Sequence, residues 1–432
     1  MMQHGSCECS KSELDVTAVP PTMTAMQEGH WTEHHPISAL NNNAPIEFII
    51  PPQTEKWTDL NQSFLYLKLK VTKADGTDLE ADSNIGVVNN LFHSLFSSID
   101  LYLNNKLVTN STDTYPYRAY IENLLSYDEH TKKTHLKAWE LWQEDTSGKM
   151  QENKAGGGNE GWNERTKRLG LSNSVELMGR LHLDTFLQEK YLPNGMEIKL
   201  RLNKTSPNFH LFGDVEGKLK MLEATYHVRT VELLPVLAND LNKTLMSHGM
   251  KMPIRRVEVK TFTISRGLRS KIEDFLFQGQ LPKRVIVGLV NNNIMNGTQK
   301  TNPFDFQHFD LSKLDVSVDG RAIQNKPFQP NFTTGECVRS YASLFQSTGS
   351  LGQNHSMGIT LDQYKQGYTL WGFDLTADQG SEGNHLHPIK TGNLRLELQF
   401  AQALDEVINV IVFAEFDNQL EINGLREVIT DY

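Results

Sequence analysis

The chain has 432 residues, 38% hydrophobic and 22% charged, with a formal net charge of −10 and a pI near 5.9. That length is enough for two domains of roughly 200 residues, each with its own core, and the composition argues against wholesale disorder. An acidic balance without a dense basic stripe argues against direct nucleic-acid binding, no run approaches the roughly 20 apolar residues of a membrane helix, and three cysteines speak for a reducing compartment rather than a disulfide framework.

Residues 1–35 are polar and without sustained period, and read as an N-terminal arm with no core of its own. No apolar h-region stands near the start, so no secretory leader is expected. Triplets such as Asn110-Ser111-Thr112, Asn296-Gly297-Thr298 and Asn331-Phe332-Thr333 then read as chance rather than glycosylation sites. The arm holds Cys7, Cys9, His34 and His35, whose spacing does not supply the four compatible ligands of a structural metal site.

Strand signals begin at Ile46–Ile50, stopped by Pro51-Pro52. In Phe64–Val71 the alternation places Leu67, Leu69 and Val71 on one face. Ile99–Val108 reads as two short strands about an Asn104-Asn105 turn, since Asn tolerates the positive φ of a two-residue hairpin. Tyr117, Tyr120, Ile121, Leu124 and Leu125 are spaced as one face of a helix. Residues 128–172, rich in Lys, Glu, Asn and Gly, read as a long insertion, with no core expected between Gln151 and Trp162. A solvated excursion and a partner contact are both open for it. Trp139 and Trp142 are expected to anchor their helix on the barrel, or to meet a neighbouring subunit. Strands resume at Val175–Leu183, Ile198–Leu202 and Leu219–Leu234. Residues 236–249 read as a polar, helical connector. Ile254–Phe262 is a period-2 strand, Arg284–Val290 suits a strand covered on both faces, Val407–Phe416 is the last strong strand, and 426–432 is a tail.

The second half repeats the first in four places, in one order. Ile99–Val108 returns as Leu314–Ile323 with an Asp319-Gly320 turn; Arg118-Ala119-Tyr120 returns as Arg339-Ser340-Tyr341; Leu177-Met178-Gly179 as Leu370-Trp371-Gly372; and Gly195–Leu202 as Gly392–Leu398. Single matches arise by chance, but four in one order argue for tandem copies of one β-domain, each of two packed antiparallel sheets.

Catalytic motifs are not found: no Walker loop, no G-x-G-x-x-G after a strand, no G-x-S-x-G and no H-E-x-x-H. Cys337 has no marked His partner and reads as a packed thiol. His385 and His387 have H-x-H spacing, but no third ligand follows at a recognisable offset, so they read as a polar loop. Glu415 and Asp417 share a strand face and read as solvated carboxylates. No catalytic residue, cofactor or metal is expected.

Longer stretches carry a family likeness. Asn90–Asp100, Thr114–Glu122, Pro253–Phe262, Gly279–Arg284, Pro327–Phe332 and Ala414–Asn418 resemble the major capsid protein of Polinton/Maverick elements and adintoviruses, and the likeness runs from about Val19 to Tyr432. The resemblance implies an all-β double jelly roll of eight strands each, near residues 36–235 and 250–425. It also implies a homotrimer, contacts with neighbouring capsomers and a single jelly-roll penton protein, and an icosahedral shell around double-stranded DNA. The family has no catalytic residues to carry over. The expected place is the virion, after synthesis in host cytoplasm or nucleus. Two other readings stay open: a host-encoded copy with a new role, and a jelly-roll enzyme or sugar-binding protein with a ligand groove.

Overall fold

The strands follow from alternation that leaves one face dry. In Lys56–Lys73, Leu65, Leu67, Leu69 and Val71 are fully buried while Tyr66, Lys68 and Lys70 between them stay partly in water. The structure, a computed structural model, describes residues 12–17, 19–40, 44–80, 83–110, 112–294, 299–383 and 385–430. Cys7, Cys9, Ser111 and the Asn296-Gly297-Thr298 triplet lie outside them.

The first half supplies β1 (Met26–His34), β2 (Ile46–Ile50), β3 (Lys56–Lys73), β4 (Ile85–Val87), β5 (Phe96–Leu103), β6 (Lys106–Leu107), β7 (Val175–Gly179), β8 (Ile198–Lys204), β9 (Leu211–Gly213) and β10 (Gly217–Leu233). One sheet runs β1-β10-β3-β7 and the facing one β2-β8-β5-β6, with β4-β9 as a separate pair. The second half supplies β11 (Met250–Ile264), β12 (Ser270–Gln280), β13 (Arg284–Asn291), β14 (Leu311–Val318), β15 (Arg321–Ala322), β16 (Leu370–Asp374), β17 (Thr391–Phe400), β18 (Ile408–Ile422) and β19 (Val428–Thr430). Its sheets run β11-β18-β13-β16 and β12-β17-β14-β15, with β19 beside β18.

The two orders are the same permutation, and each is a jelly roll of eight antiparallel strands. The four sequence repeats fall at equivalent places. Asn104-Asn105 and Asp319-Gly320 both turn with two positive φ values, at 46° and 65° and at 48° and 78°, and join corresponding strands. Arg118 and Arg339 lie on corresponding helices, Tyr115–Ser126 and Val338–Ser347. The Leu-x-Gly repeats lie on β7 and β16, and the last repeat on β8 and β17.

Each roll has a core between its sheets, and a third core lies between the rolls. Tyr117 and Tyr120 from the first helix meet Phe304 and Phe306 there, with Val257, Val259, Ile286 and Phe413 from the second roll beneath. Tyr120 and Phe304 stack at 4.1 Å, nearly parallel. The connector is the expected helix, Pro235–His248.

Three expectations are corrected. Residues 26–34 are not arm but β1, paired with β10 from Met26↔Leu233 to His34↔Tyr226. An edge strand needs backbone partners more than buried side chains, so its apolar period is weak. The tail residues 428–430 likewise pair with β18. The insertion does have a core: Met150, Trp162 and Arg165 are buried. Asn159 caps the helix Glu160–Leu169 by accepting the Trp162 backbone N–H, and the Trp162 indole donates to the Phe212 carbonyl at 2.7 Å.

Candidate functional site

Two polar centres stand out. The first is built on the helix Tyr115–Ser126, where i, i+4 spacing sets Arg118 beside Glu122 at 3.0 Å. Arg118 also reaches Asp184 at 2.7 Å, and Glu122 bonds His182. His93 lies 2.9 Å from the Tyr115 hydroxyl and 3.3 Å from Glu140, which accepts from Asn123 at 2.6 Å. Burial pushes the Glu122 carboxyl up, but Arg118 and His182 outweigh it and hold it near 2. Burial lowers His93 against the pull of Glu140, and raises Asp184 against Arg118. These groups bond one another beneath the surface, which suits holding the helix on the sheet. The echo of Arg118 behaves differently: Arg339 donates to the Pro327 and Lys326 carbonyls at 3.1 and 2.5 Å.

The second centre edges a cleft of about 880 Å³ in the second roll, lined among others by Leu281, Lys283, Val318, Ile323, Leu386 and Ile389. The loop from β16 to β17 brings Asp378 to the histidine pair. His385 Nε2 is 2.8 Å from Asp378 Oδ2, and His387 Nε2 is 3.3 Å from Asp378 Oδ1. His387 Nδ1 and its backbone N–H lie 3.0 and 2.9 Å from Asp417 Oδ2, and Lys283 Nζ is 2.8 Å from the other Asp417 oxygen. The His385 hydrogen bond holds the Asp378 carboxyl well below the usual range. In the sequence a third ligand is sought only downstream of the pair, whereas the structure sets Asp378, upstream, beside both rings. Asp378 precedes His385 by seven residues, a spacing that carries no recognisable signal in the sequence.

The solvated reading of Glu415 and Asp417 is corrected too. Glu415 is buried and takes a 2.5 Å bond from Arg284, its cross-strand neighbour; Asp417 is mostly buried. Arg284 also pairs with Glu382. Cys337 is buried, and burial pushes its thiol up, which opposes thiolate formation. The two tryptophans part: Trp142 is buried against Tyr120, whereas Trp139 is exposed beside His135. His34 lies on β1, its Nε2 3.1 Å from the Thr32 hydroxyl. On the same edge Glu28, His30 and Glu232 cluster, Glu232 arriving from β10. Among the described residues no helix is long and apolar enough to cross a membrane.

No family model matches the sequence. An uncharacterized protein of Caenorhabditis elegans is 24% identical over 96% of this chain and 99% of its own. Among solved structures, a chain of the Sputnik virophage aligns with a TM-score of 0.66 at 11% identity, over 99% of this chain and 93% of that one. A chain of the PBCV-1 virus capsid gives 0.62 at 10% identity, over 96% and 100%. The mavirus major capsid protein gives 0.56 at 11% identity, over 100% and 96%. These neighbours share the double jelly-roll fold across essentially the whole chain.

Proposed function

We propose that this chain is a viral major capsid protein of the Polinton/Maverick and adintovirus lineage, a structural subunit and not an enzyme. The observation that carries the reading is the pair of complete jelly rolls in one strand order, joined by a shared core, with whole-chain likeness to the mavirus major capsid protein. Two rolls fixed side by side give a protomer with two similar lobes. Three such protomers about an axis present six lobes, a hexagonal unit that tiles a shell by its edges. Edge contacts need broad complementary surfaces and no active site. Neighbouring capsomers and a single jelly-roll penton protein are the partners, and the virion is the place. An acidic chain suits a shell whose double-stranded DNA is neutralised by other proteins.

One observation favours a second reading, a host-encoded copy with a new role: a cellular genome, that of Caenorhabditis elegans, carries a relative of matching length. Light scattering on the purified chain tests the proposal. A particle three times the 49.0 kDa chain mass, hexagonal in negative stain, is expected. A monomer stable at micromolar concentration refutes it.

A further inference from the structure

We infer that Asp378, His385 and His387 form a divalent transition-metal site, best suited to Zn²⁺, at the rim of the second-roll cleft. All three ligand atoms lie within 4.8 Å of one another. Around one tetrahedral ion with bonds of about 2.1 Å, ligand atoms sit roughly 3.4 Å apart. The Asp378–His387 separation of 3.3 Å matches that spacing, and the 2.8 Å Asp378–His385 contact opens to it by a small rotation of exposed side chains.

A carboxylate holds the His387 ring from behind. Asp417 accepts a hydrogen bond from His387 Nδ1 at 3.0 Å, and Asp417 is itself fixed by Lys283 and by the His387 backbone N–H. The other ring nitrogen, Nε2, lies on the Asp378 side of the ring. That nitrogen is buried, makes no hydrogen bond to the described residues, and faces a carboxylate oxygen. A buried nitrogen without a hydrogen-bond partner, 3.3 Å from a carboxylate oxygen and close to a second imidazole, is a donor set for a cation. The carboxylate behind the imidazole is the outer-shell arrangement that orients metal-ligating histidines and raises their basicity.

The donor set selects the metal. Two imidazole nitrogens and one carboxylate suit Zn²⁺ and its transition-metal neighbours, whereas Ca²⁺ and Mg²⁺ favour all-oxygen shells. His385 and Asp378 have side chains 60% and 50% exposed and line the cleft, so an ion can enter from solvent. The expected consequence is local: the ion ties the β16–β17 loop to β18 through His387 and Asp417.

The test is calorimetric titration of chelator-treated full-length protein with ZnCl₂ in a non-coordinating buffer, with MgCl₂ as a comparison. One equivalent of Zn²⁺ is expected, with Mg²⁺ binding at least 100-fold weaker. His385→Ala and Asp378→Ala should each abolish that equivalent, and Asp417→Asn should weaken it about 10- to 100-fold. His30→Ala, on the Glu28–His30–Glu232 cluster of the first roll, should leave it intact. Zn²⁺ should also slow proteolysis within residues 376–390 in the wild type alone. Failure of the wild type to bind would mean that the inference is wrong. Undiminished binding in both His385→Ala and Asp378→Ala would place the ion elsewhere and overturn it equally.

Discussion

Arg165 is the residue on which the insertion should depend most. Its guanidinium is fully buried, donates to the Val87 carbonyl at 3.0 Å and to the Gln143 carbonyl, and pairs with buried Asp145 at 2.6 Å. Arg165→Met keeps the bulk but strands a carboxylate and two carbonyls. Removing one partner of a buried pair costs about 3–5 kcal/mol. Asp145 retains amide donors from Asn159 at 3.0 Å and Asn302 at 2.8 Å, which moderates the loss of its cation. Each orphaned carbonyl adds about 1 kcal/mol. A net loss of about 4 kcal/mol is therefore expected by urea unfolding followed through tryptophan fluorescence. Adding Asp145→Asn removes the stranded charge at the expense of one amide contact, so the double variant should recover at least about 1 kcal/mol. A single variant costing under about 1 kcal/mol, or a double variant no more stable than the single, would show that the ion pair does not hold the insertion.

Three further outcomes are expected. Phe304→Ala, which removes the ring stacked on Tyr120, should cost about 3–5 kcal/mol and lower both rolls in one unfolding transition; two separated transitions would mean that the inter-roll core does not couple them. Gly161→Ala would set a Cβ 2.1 Å from the Glu144 carbonyl oxygen, so about 1–3 kcal/mol of overpacking and earlier protease cutting near Asp145 are expected, and wild-type resistance would refute the close approach. Buried His210 is lowered by desolvation from 6.5 to about 4, so between those values the unfolded chain holds the extra proton and stability should fall as pH drops, by roughly 3 kcal/mol in all. His210→Gln should flatten the slope of unfolding free energy in that window, and an unchanged slope would assign it to other groups, His93 foremost.

What was legible in the chain was local. Leu67, Leu69 and Val71 declare their face by period alone, and Arg284–Val290, buried throughout, declares a strand covered on both sides. The two hairpin turns declare themselves by residues that accept positive φ. What was hidden depends on distant partners. The insertion core closes through Asp145 and Asn302, and through Trp162 and Phe212, pairings no window of sequence contains. Glu415 looks like a solvated carboxylate until β13 sets Arg284 opposite it. Asp378 joins His385 and His387 because the loop curls back, and seven residues of spacing do not announce that. The edge strand β1 leaves a weak period in the sequence because its side chains contribute little burial and its backbone contributes the pairing.

That pairing has a consequence for how the chain is made. The first strand of each roll is zipped to the last, Glu28 to Glu232 and Met250 to Ile422. At ribosomal rates of about 5–20 residues per second, β1 waits roughly 10–40 s for its mate to be synthesised. Over that interval β3, which β10 will cover along one edge from Lys56 to Lys73, offers a long open row of backbone donors and acceptors. Nascent chains crowded on one message would be prone to exchange these strands. Assembly yield is therefore expected to follow translation speed and chaperone supply more than the equilibrium stability of the finished fold.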